Sequence, residues 1–270
     1  MRALVPLLSV AVLGLAACGG TASAPEETPS PSLTPTVSAV ATPLADPTPT
    51  PEPVSCEMMV ERLTPEEQIG QLFMVGMTST APVDEAYRTM LTDSHAGAIV
   101  LLGDSSAERG EVRELTDTLR AAASQPQDIG LLVAVDQEGG AVQRLRGAGF
   151  ENMPSARVQA NRPIAELERS AQHWGGQLEV AGIKANLAPV ADVVPEDQVA
   201  HNEPIGKLNR HYGTTPEEVT PRVEAMVRGY HQAGIATSLK HFPGLGHVVG
   251  NTDFTGNVAD TTVGRNHPDL

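Results

Sequence analysis

Basic residues, cysteines and aromatics are all scarce in this sequence of 270 residues. It carries 18 Lys and Arg against 33 Asp and Glu, a formal charge of −15. Nucleic-acid affinity comes largely from cations that neutralise phosphates, so a nucleic-acid partner is disfavoured. Cys18 and Cys56 are the only cysteines, and Cys18 sits in a processing signal, which leaves no intramolecular disulfide framework. Phosphate-binding glycines are missing too. The first apolar strand candidate runs into Val75-Gly76-Met77-Thr78, with no Gly-x-Gly-x-x-Gly and no Gly-Lys-Ser/Thr, so nucleotide binding is weakly supported.

The apolar run from Ala3 to Gly14 is too short to span a bilayer comfortably, and it leads into Leu15-Ala16-Ala17-Cys18-Gly19. This is the form of a signal peptide over residues 1–17. The Leu-Ala-Ala-Cys segment resembles the bacterial lipobox, which implies cleavage before Cys18 and a lipid on that cysteine; a plain secretory signal with an incidental cysteine is the alternative. Acyl chains bury at about 0.8 kcal/mol per methylene, so the mature protein would hang from a membrane on the extracytoplasmic face. Residues 18–55 are rich in Ser, Thr, Ala and Pro, with nine prolines from Pro25 to Pro53. Such a composition cannot bury enough apolar surface to fold, and its prolines favour an extended conformation rising about 3.1 Å per residue, a semi-rigid stalk. Residues 1–55 contain one basic and four acidic side chains, so residues 56–270 keep 17 basic and 29 acidic ones, net −12. The acidity belongs to the folded part.

From residue 57 onward strands and helices alternate. Thr64-Pro65-Glu66-Glu67 predicts a helix start: Thr64 caps, Pro65 suits the first turn, and Glu67 returns the capping-box bond; the same word recurs at Thr215-Pro216-Glu217-Glu218. Continuous apolar runs at 72–75, 98–102, 131–135, 185–189 and 235–239 have the length and composition of parallel strands buried on both faces. Helical periodicity over about 83–92, 107–124, 164–181 and 216–233 separates them. A βα repeat of this kind closes either as a doubly wound open sheet or as a (β/α)8 TIM-type barrel. The charged residues favour the barrel, because Asp136, Glu138, Asp192, Lys240 and His241 all follow strand candidates, where barrels carry their chemistry. Five strands are counted where a barrel needs eight, so about five βα units are expected here, with residues 56–270 forming the N-terminal part of a barrel cut short.

Two strand ends carry reactive groups. Asp136-Gln137-Glu138-Gly139-Gly140 sets two acids beside two glycines that let a ligand approach closely; a polar turn capping the next helix is the competing reading. Lys240-His241-Phe242-Pro243-Gly244-Leu245-Gly246 supplies a cation and an imidazole on a loop stiffened by Pro and Gly. Here the alternative is a structural ion pair between Lys240 and Asp136.

Together these segments, extended through Ala141-Val142-Gln143-Arg144, closely resemble glycoside hydrolase family 3 in its β-N-acetylhexosaminidase branch. The resemblance runs from about Leu63 to the last residue and includes the segments 63–72, 186–193, Pro204-Ile205-Gly206 and Arg210-His211-Tyr212-Gly213. It implies that Asp136, Arg144, Arg210, Lys240 and His241 hold the reacting sugar. The chemistry suits the task, since a carboxylate accepts from adjacent hydroxyls while Arg and Lys donate charge-assisted bonds to sugar oxygens. Arg210 is placed by its distance from Gly213, with Lys207 as fallback.

The catalytic loop departs from the family form. Leu245 stands where the branch has a first loop histidine, and Asn251-Thr252-Asp253 occupies the register of Asp-Ser-His. Asp253 falls on the place of the general acid/base and could do its work if burial raised its pKa; His247 is the weaker candidate, and Asp253 as a mere turn former is the third reading. No carboxylate in the chain matches the family's nucleophile, which is expected after Leu270. A metal site on His241 and His247 lacks a third ligand, so no metal and no cofactor are expected. The resemblance therefore implies a retaining exo-β-N-acetylglucosaminidase acting on peptidoglycan fragments or related glycosides. The alternatives are a non-catalytic sugar-binding surface lipoprotein on a decayed barrel, disfavoured by a single Trp174 for ring stacking, and a β-glucosidase of the same family. The aglycone and the oligomeric state are not written in these residues.

Overall fold

The computed structural model describes residues 55–123, 126 and 129–269. The signal segment 1–17, Cys18 and all of the stalk except Ser55 lie outside them. Two short helices open the domain, α1 (Cys56–Glu61) and α2 (Pro65–Gly70). The capping box of α2 forms as its sequence requires: Glu67 N donates to Thr64 Oγ1 at 3.2 Å and Thr64 N to Glu67 Oε2 at 2.7 Å. No helix among the described residues is long and apolar enough to cross a membrane.

Then come β1 (Met74–Thr78), α3 (Glu85–Ser94), β2 (Ala98–Leu102), α4 (Arg109–Ala122) and β3 (Leu132–Val135). A hairpin, β4 (Gln137–Gly139) with β5 (Val142–Gln143), and a single helical turn, α5 (Ala156–Gln159), precede α6 (Ile164–Val180), β6 (Ala185–Asn186), α7 (Pro216–Gln232) and β7 (Ala236–Thr237). All five expected strands form, and they pair in parallel in the order β1-β2-β3-β6-β7. Met74 lies opposite Ala98, Ala98 opposite Leu132, Ala134 opposite Ala185, and Ala185 opposite Ala236. The last two strands are shorter than their apolar runs, because the chain turns toward the site; a further bridge between Val190 and Lys240 continues the pairing beyond them.

Strand residues Ile99, Leu101, Val133 and Val135 are fully buried against Leu119 of α4, Leu167 and Leu178 of α6, and Met226 and Tyr230 of α7. Burial of one such aliphatic side chain contributes about 1.5–3 kcal/mol. Helices α6 and α7 touch most closely at Gly229, where a Cβ would stand 2.3 Å from the Glu168 carbonyl oxygen. Glu168 also accepts from Arg228 at 3.0 Å and Gln232 at 2.8 Å, which latches the pair at its rim.

The β4–β5 hairpin corrects one reading of the sequence. The segment after Asp136 does not cap a helix; it folds back as an antiparallel pair. Gln137 makes this possible, since its buried side chain accepts from Arg144 N and Leu145 N and donates to Leu145 O at 2.9–3.0 Å. Asn186 of β6 closes the other side, exchanging two 3.0 Å bonds with the Gln137 backbone. The segment that follows β3 is thereby held to its neighbours by side-chain amides.

Candidate active site

At the C-terminal ends of β3, β6 and β7 a cluster of opposite charges forms. Lys240 donates to Asp136 and, at 2.6 Å, to Glu138 Oε1. Glu138 is 5% exposed in its side chain and takes a two-pronged bond from Arg210, Nη2 to Oε1 at 2.7 Å and Nε to Oε2 at 2.9 Å. Arg210 also donates through Nη1 to Pro204 O at 2.8 Å. Burial pushes the Glu138 carboxyl up, but the guanidinium of Arg210 and the ammonium of Lys240 together outweigh it and hold that carboxyl below the usual carboxylate range. Burial works against the charge of Arg210 in the same way and is outweighed by Glu138, then Asp136 and Asp192, so its pKa rises. Both groups stay ionised.

His241 stands beside this cluster. Its Nδ1 lies 2.6 Å from Asp192 Oδ2, and its Nε2 lies 3.4 Å from Arg210 Nη2. Asp192 is shut off from solvent, and its other oxygen accepts from Leu245 N at 2.6 Å. The loop after β7 is pressed against the β6 side: Gly246 comes so close that a Cβ would meet the Val193 carbonyl oxygen at 1.8 Å. Asn202, buried, ties the same loop from across. Its amide donates to Leu245 O, Gly246 O and Val248 O at 2.7–3.0 Å and accepts from Ile205 N and Gly206 N at 3.0 and 2.7 Å. The loop that leads to Arg210 and the loop that follows His241 are thus one unit. The Lys240–His241 and Phe242–Pro243 peptide bonds are cis. A cleft of about 250 Å³ opens here, lined by Asp192, Lys240, His241, Pro243, His247 and Asp269 among others.

Of the residues picked out by sequence, Asp136, Arg210, Lys240 and His241 come together. Arg144 does not join their network; it pairs with exposed Asp104 at 3.0 Å, while its buried Nε has no hydrogen-bond partner among the described residues. Lys207, the fallback for Arg210, pairs with Glu203 on the surface at 3.2 Å and stands outside the network. The Lys240–Asp136 ion pair weighed as a structural alternative is present, but it is one contact within a larger array at a cleft, not an isolated brace.

The two acid/base candidates are placed differently. Asp253 is exposed on the segment after β7, with its backbone N bonded to Asn251 Oδ1 at 2.9 Å. The burial expected of an acid/base carboxyl is not supplied by the described residues. His247 lines the cleft, with Nε2 2.7 Å from Asp269 Oδ2 and Nδ1 buried without a partner among the described residues.

His267 joins them, its Nδ1 3.7 Å from Asp269 Oδ2, so that three ligand-type residues lie within 4.8 Å of one another. The pairing differs from the one considered in the sequence, since His241 is taken by Asp192 and His247 finds His267 and Asp269. The donor set is one a zinc-type ion accepts, but the surroundings fit poorly. His267 Nδ1 already accepts the Asp269 amide at 3.3 Å. In a metal complex the Nδ1 of His247 would carry a proton with no acceptor, where metal-bound imidazoles normally have one. The cluster acts as a tie between the 247 loop and the 263–269 segment.

Glu138, Asp192 and Asn202 are the site residues that sequence reasoning missed as partners. The two carboxylates stand at strand ends beside charged neighbours, which was a usable signal; nothing marks Asn202.

Comparison with known proteins shows the family of the chain. Residues 64–265 match the family described as glycosyl hydrolase family 3 N terminal domain. The chain is 33% identical over 188 residues to a beta-hexosaminidase of Stenotrophomonas maltophilia, covering 67% of this chain and 52% of the relative. It is 32% identical over 193 residues to beta-hexosaminidase LpqI of Mycobacterium tuberculosis, covering 70% and 46%. A crystal structure of beta-N-acetylhexosaminidase from Beutenbergia cavernae superposes with a TM-score of 0.74 at 40% identity, covering 77% of this chain and 62% of that one. The chain spans about half the length of these curated relatives. Its parallel sheet and flanking helices are part of a (β/α)8 TIM-type barrel. The chain belongs to glycosyl hydrolase family 3, through the N-terminal domain of that family.

Proposed function

We propose that these residues form the sugar-binding part of a retaining exo-β-N-acetylglucosaminidase that removes terminal N-acetylglucosamine from peptidoglycan fragments or related glycosides. The observation that carries the reading is the array of Asp136, Glu138, Arg210 and Lys240 beside a cleft, with His241 at its edge, in a chain similar to proteins named beta-hexosaminidase. Asp136 accepts from sugar hydroxyls, Lys240 and Arg144 bind ring or acetamido oxygens, and Glu138 keeps Arg210 and Lys240 in place. Charge-assisted bonds of this type are the strong ones.

Retention requires two carboxyl-based steps. A carboxylate nucleophile, for which no residue of this sequence is proposed, attacks the anomeric carbon while an acid on the loop after β7 protonates the departing glycosidic oxygen; water, deprotonated by the same group, then releases the sugar. Asp253 is the proposed acid/base, acting from a loop that must close over the substrate, and His247 is second to it because neither of its ring nitrogens faces open solvent. Exposure of Asp253 is also what favours the non-catalytic sugar-binding alternative. The signal at 1–17 and lipidation at Cys18 would put the protein on the outer face of a bacterial membrane, beside cell wall.

Hydrolysis of chromogenic N-acetyl-β-glucosaminide and β-glucoside by a chain long enough to carry the nucleophile tests the proposal. Turnover of the first in clear preference to the second is expected. Preference for the glucoside would make the protein a β-glucosidase, and saturable sugar binding without turnover would leave the binding reading alone.

A further inference from the structure

We infer that Asp192 is the positioning residue of the site: its buried carboxylate sets the tautomer of His241 and locks the 241–246 loop, so that Nε2 of His241 is presented as a hydrogen-bond acceptor. The two neighbours of the imidazole fix this choice between them. Asp192 Oδ2, at 2.6 Å, accepts and so requires a proton on Nδ1. Arg210 Nη2, at 3.4 Å, can only donate and so requires a lone pair on Nε2. In a histidine the hydrogen bond made by one ring nitrogen decides the state of the other.

The second oxygen of Asp192 has its own task. It accepts the Leu245 amide at 2.6 Å, while Ala191 N donates to Lys240 O at 2.6 Å one residue away. Position 192 therefore faces two donors, the His241 ring and the Leu245 backbone, and both need an acceptor. A carboxylate satisfies both. An asparagine of the same shape cannot, because one of its two terminal atoms is a donor. The buried Asn202 holds the far side of the loop through Leu245 O, Gly246 O and Val248 O, so Asp192 and Asn202 clamp it between β6 and the Arg210 segment.

The inference rests on the sugar-site reading only for its second readout. In the full chain labelled with ¹⁵N-histidine, long-range ¹H–¹⁵N spectra at alkaline pH, where ordinary imidazoles are neutral, report the tautomer of each ring; His241→Asn identifies the signals of His241. The wild type is expected to show the Nδ1–H form at His241, and the Nε2–H form there would overturn the inference without any variant. Asp192→Asn is expected either to shift His241 toward Nε2–H or to expose the Leu245 amide to fast hydrogen exchange. Retention of both the tautomer and the protection would overturn it equally. Affinity for N-acetylglucosamine should fall about tenfold in Asp192→Asn, the size of one hydrogen bond lost from a misoriented ring. If the wild type binds no sugar, the proposed function fails while the tautomer result still decides the role of Asp192.

Discussion

The Glu138 cluster and the segment from His247 to Asp269 lie on the same side of the sheet and are built in opposite ways. Glu138 is nearly sealed from solvent and receives three side-chain bonds from two cations. Most of residues 252–266 are exposed, with no helix or strand, and the segment's firmest side-chain contact is the His247–Asp269 pair. A sugar-binding surface gains from being rigid before the ligand arrives, because its charges then need no reorganisation. An acid that must admit substrate and release product gains from a mobile loop. The contrast teaches which half of the proposed chemistry is already set in these residues and which half depends on closure.

The sharpest way to break the contrast is to remove the anchor of the rigid half. Glu138→Ala leaves Arg210 and Lys240 buried without their shared carboxylate, and breaking a buried pair from one side costs about 3–5 kcal/mol. A large fall in the urea midpoint at unchanged slope is expected. A shift as small as that of a surface mutant would mean that the cluster is solvated.

Removal of a ligand-facing group should act on sugar more than on folding. Asp136→Ala is expected to lower kcat/KM for the N-acetyl-β-glucosaminide by about a hundredfold, equivalent to about 3 kcal/mol, measured on a chain that carries the nucleophile. Near-wild-type kinetics would take Asp136 out of the site.

How much of this was legible in the sequence follows from the range of each interaction. The five strands announce themselves, because a strand buried on both faces must be apolar throughout, as Ala98-Ile99-Val100-Leu101-Leu102 is. The β4–β5 hairpin does not, since Gln137-Glu138-Gly139 has neither alternation nor β-branched residues and is held by buried amides instead. Asp136, Lys240 and His241 could be found from the charged strand ends, and Arg210 only through the family resemblance, by its distance to Gly213. The partners of Asp192 and the loop partners of Asn202 could not, because they are mostly backbone groups that no local pattern marks, 49 to 53 and 43 to 46 residues away in the chain.

The exposed half invites a test by leaving group. If Asp253 protonates the departing oxygen, Asp253→Asn should slow alkyl glycosides by about 10²-fold or more and aryl glycosides with good leaving groups much less. Equal slowing of both would point away from a proton donor. Stability should move by less than about 0.5 kcal/mol, as at other exposed positions.

The smallest expected effect comes from a neighbour of Arg210. His211 is buried, neither ring nitrogen has a hydrogen-bond partner among the described residues, and burial, then Arg157, depress its pKa against the opposing pull of Glu196 and Glu218. A histidine disfavoured in its charged form contributes stability that is complete above its ordinary value near 6.5 and is lost as the pH falls from there through the depressed folded value. His211→Gln should flatten that acid limb of the stability curve. An unchanged slope would assign the pH dependence elsewhere.

The account stands on the claim that the partly buried array of Asp136, Glu138, Arg210 and Lys240 is a sugar site, and calorimetric titration of the full chain with N-acetylglucosamine tests it most directly. Saturable binding by the wild type, lost in Lys240→Ala under conditions where circular dichroism shows both proteins folded, is the expected result. Absence of saturable binding in the wild type, or equal affinity in the variant, would contradict it.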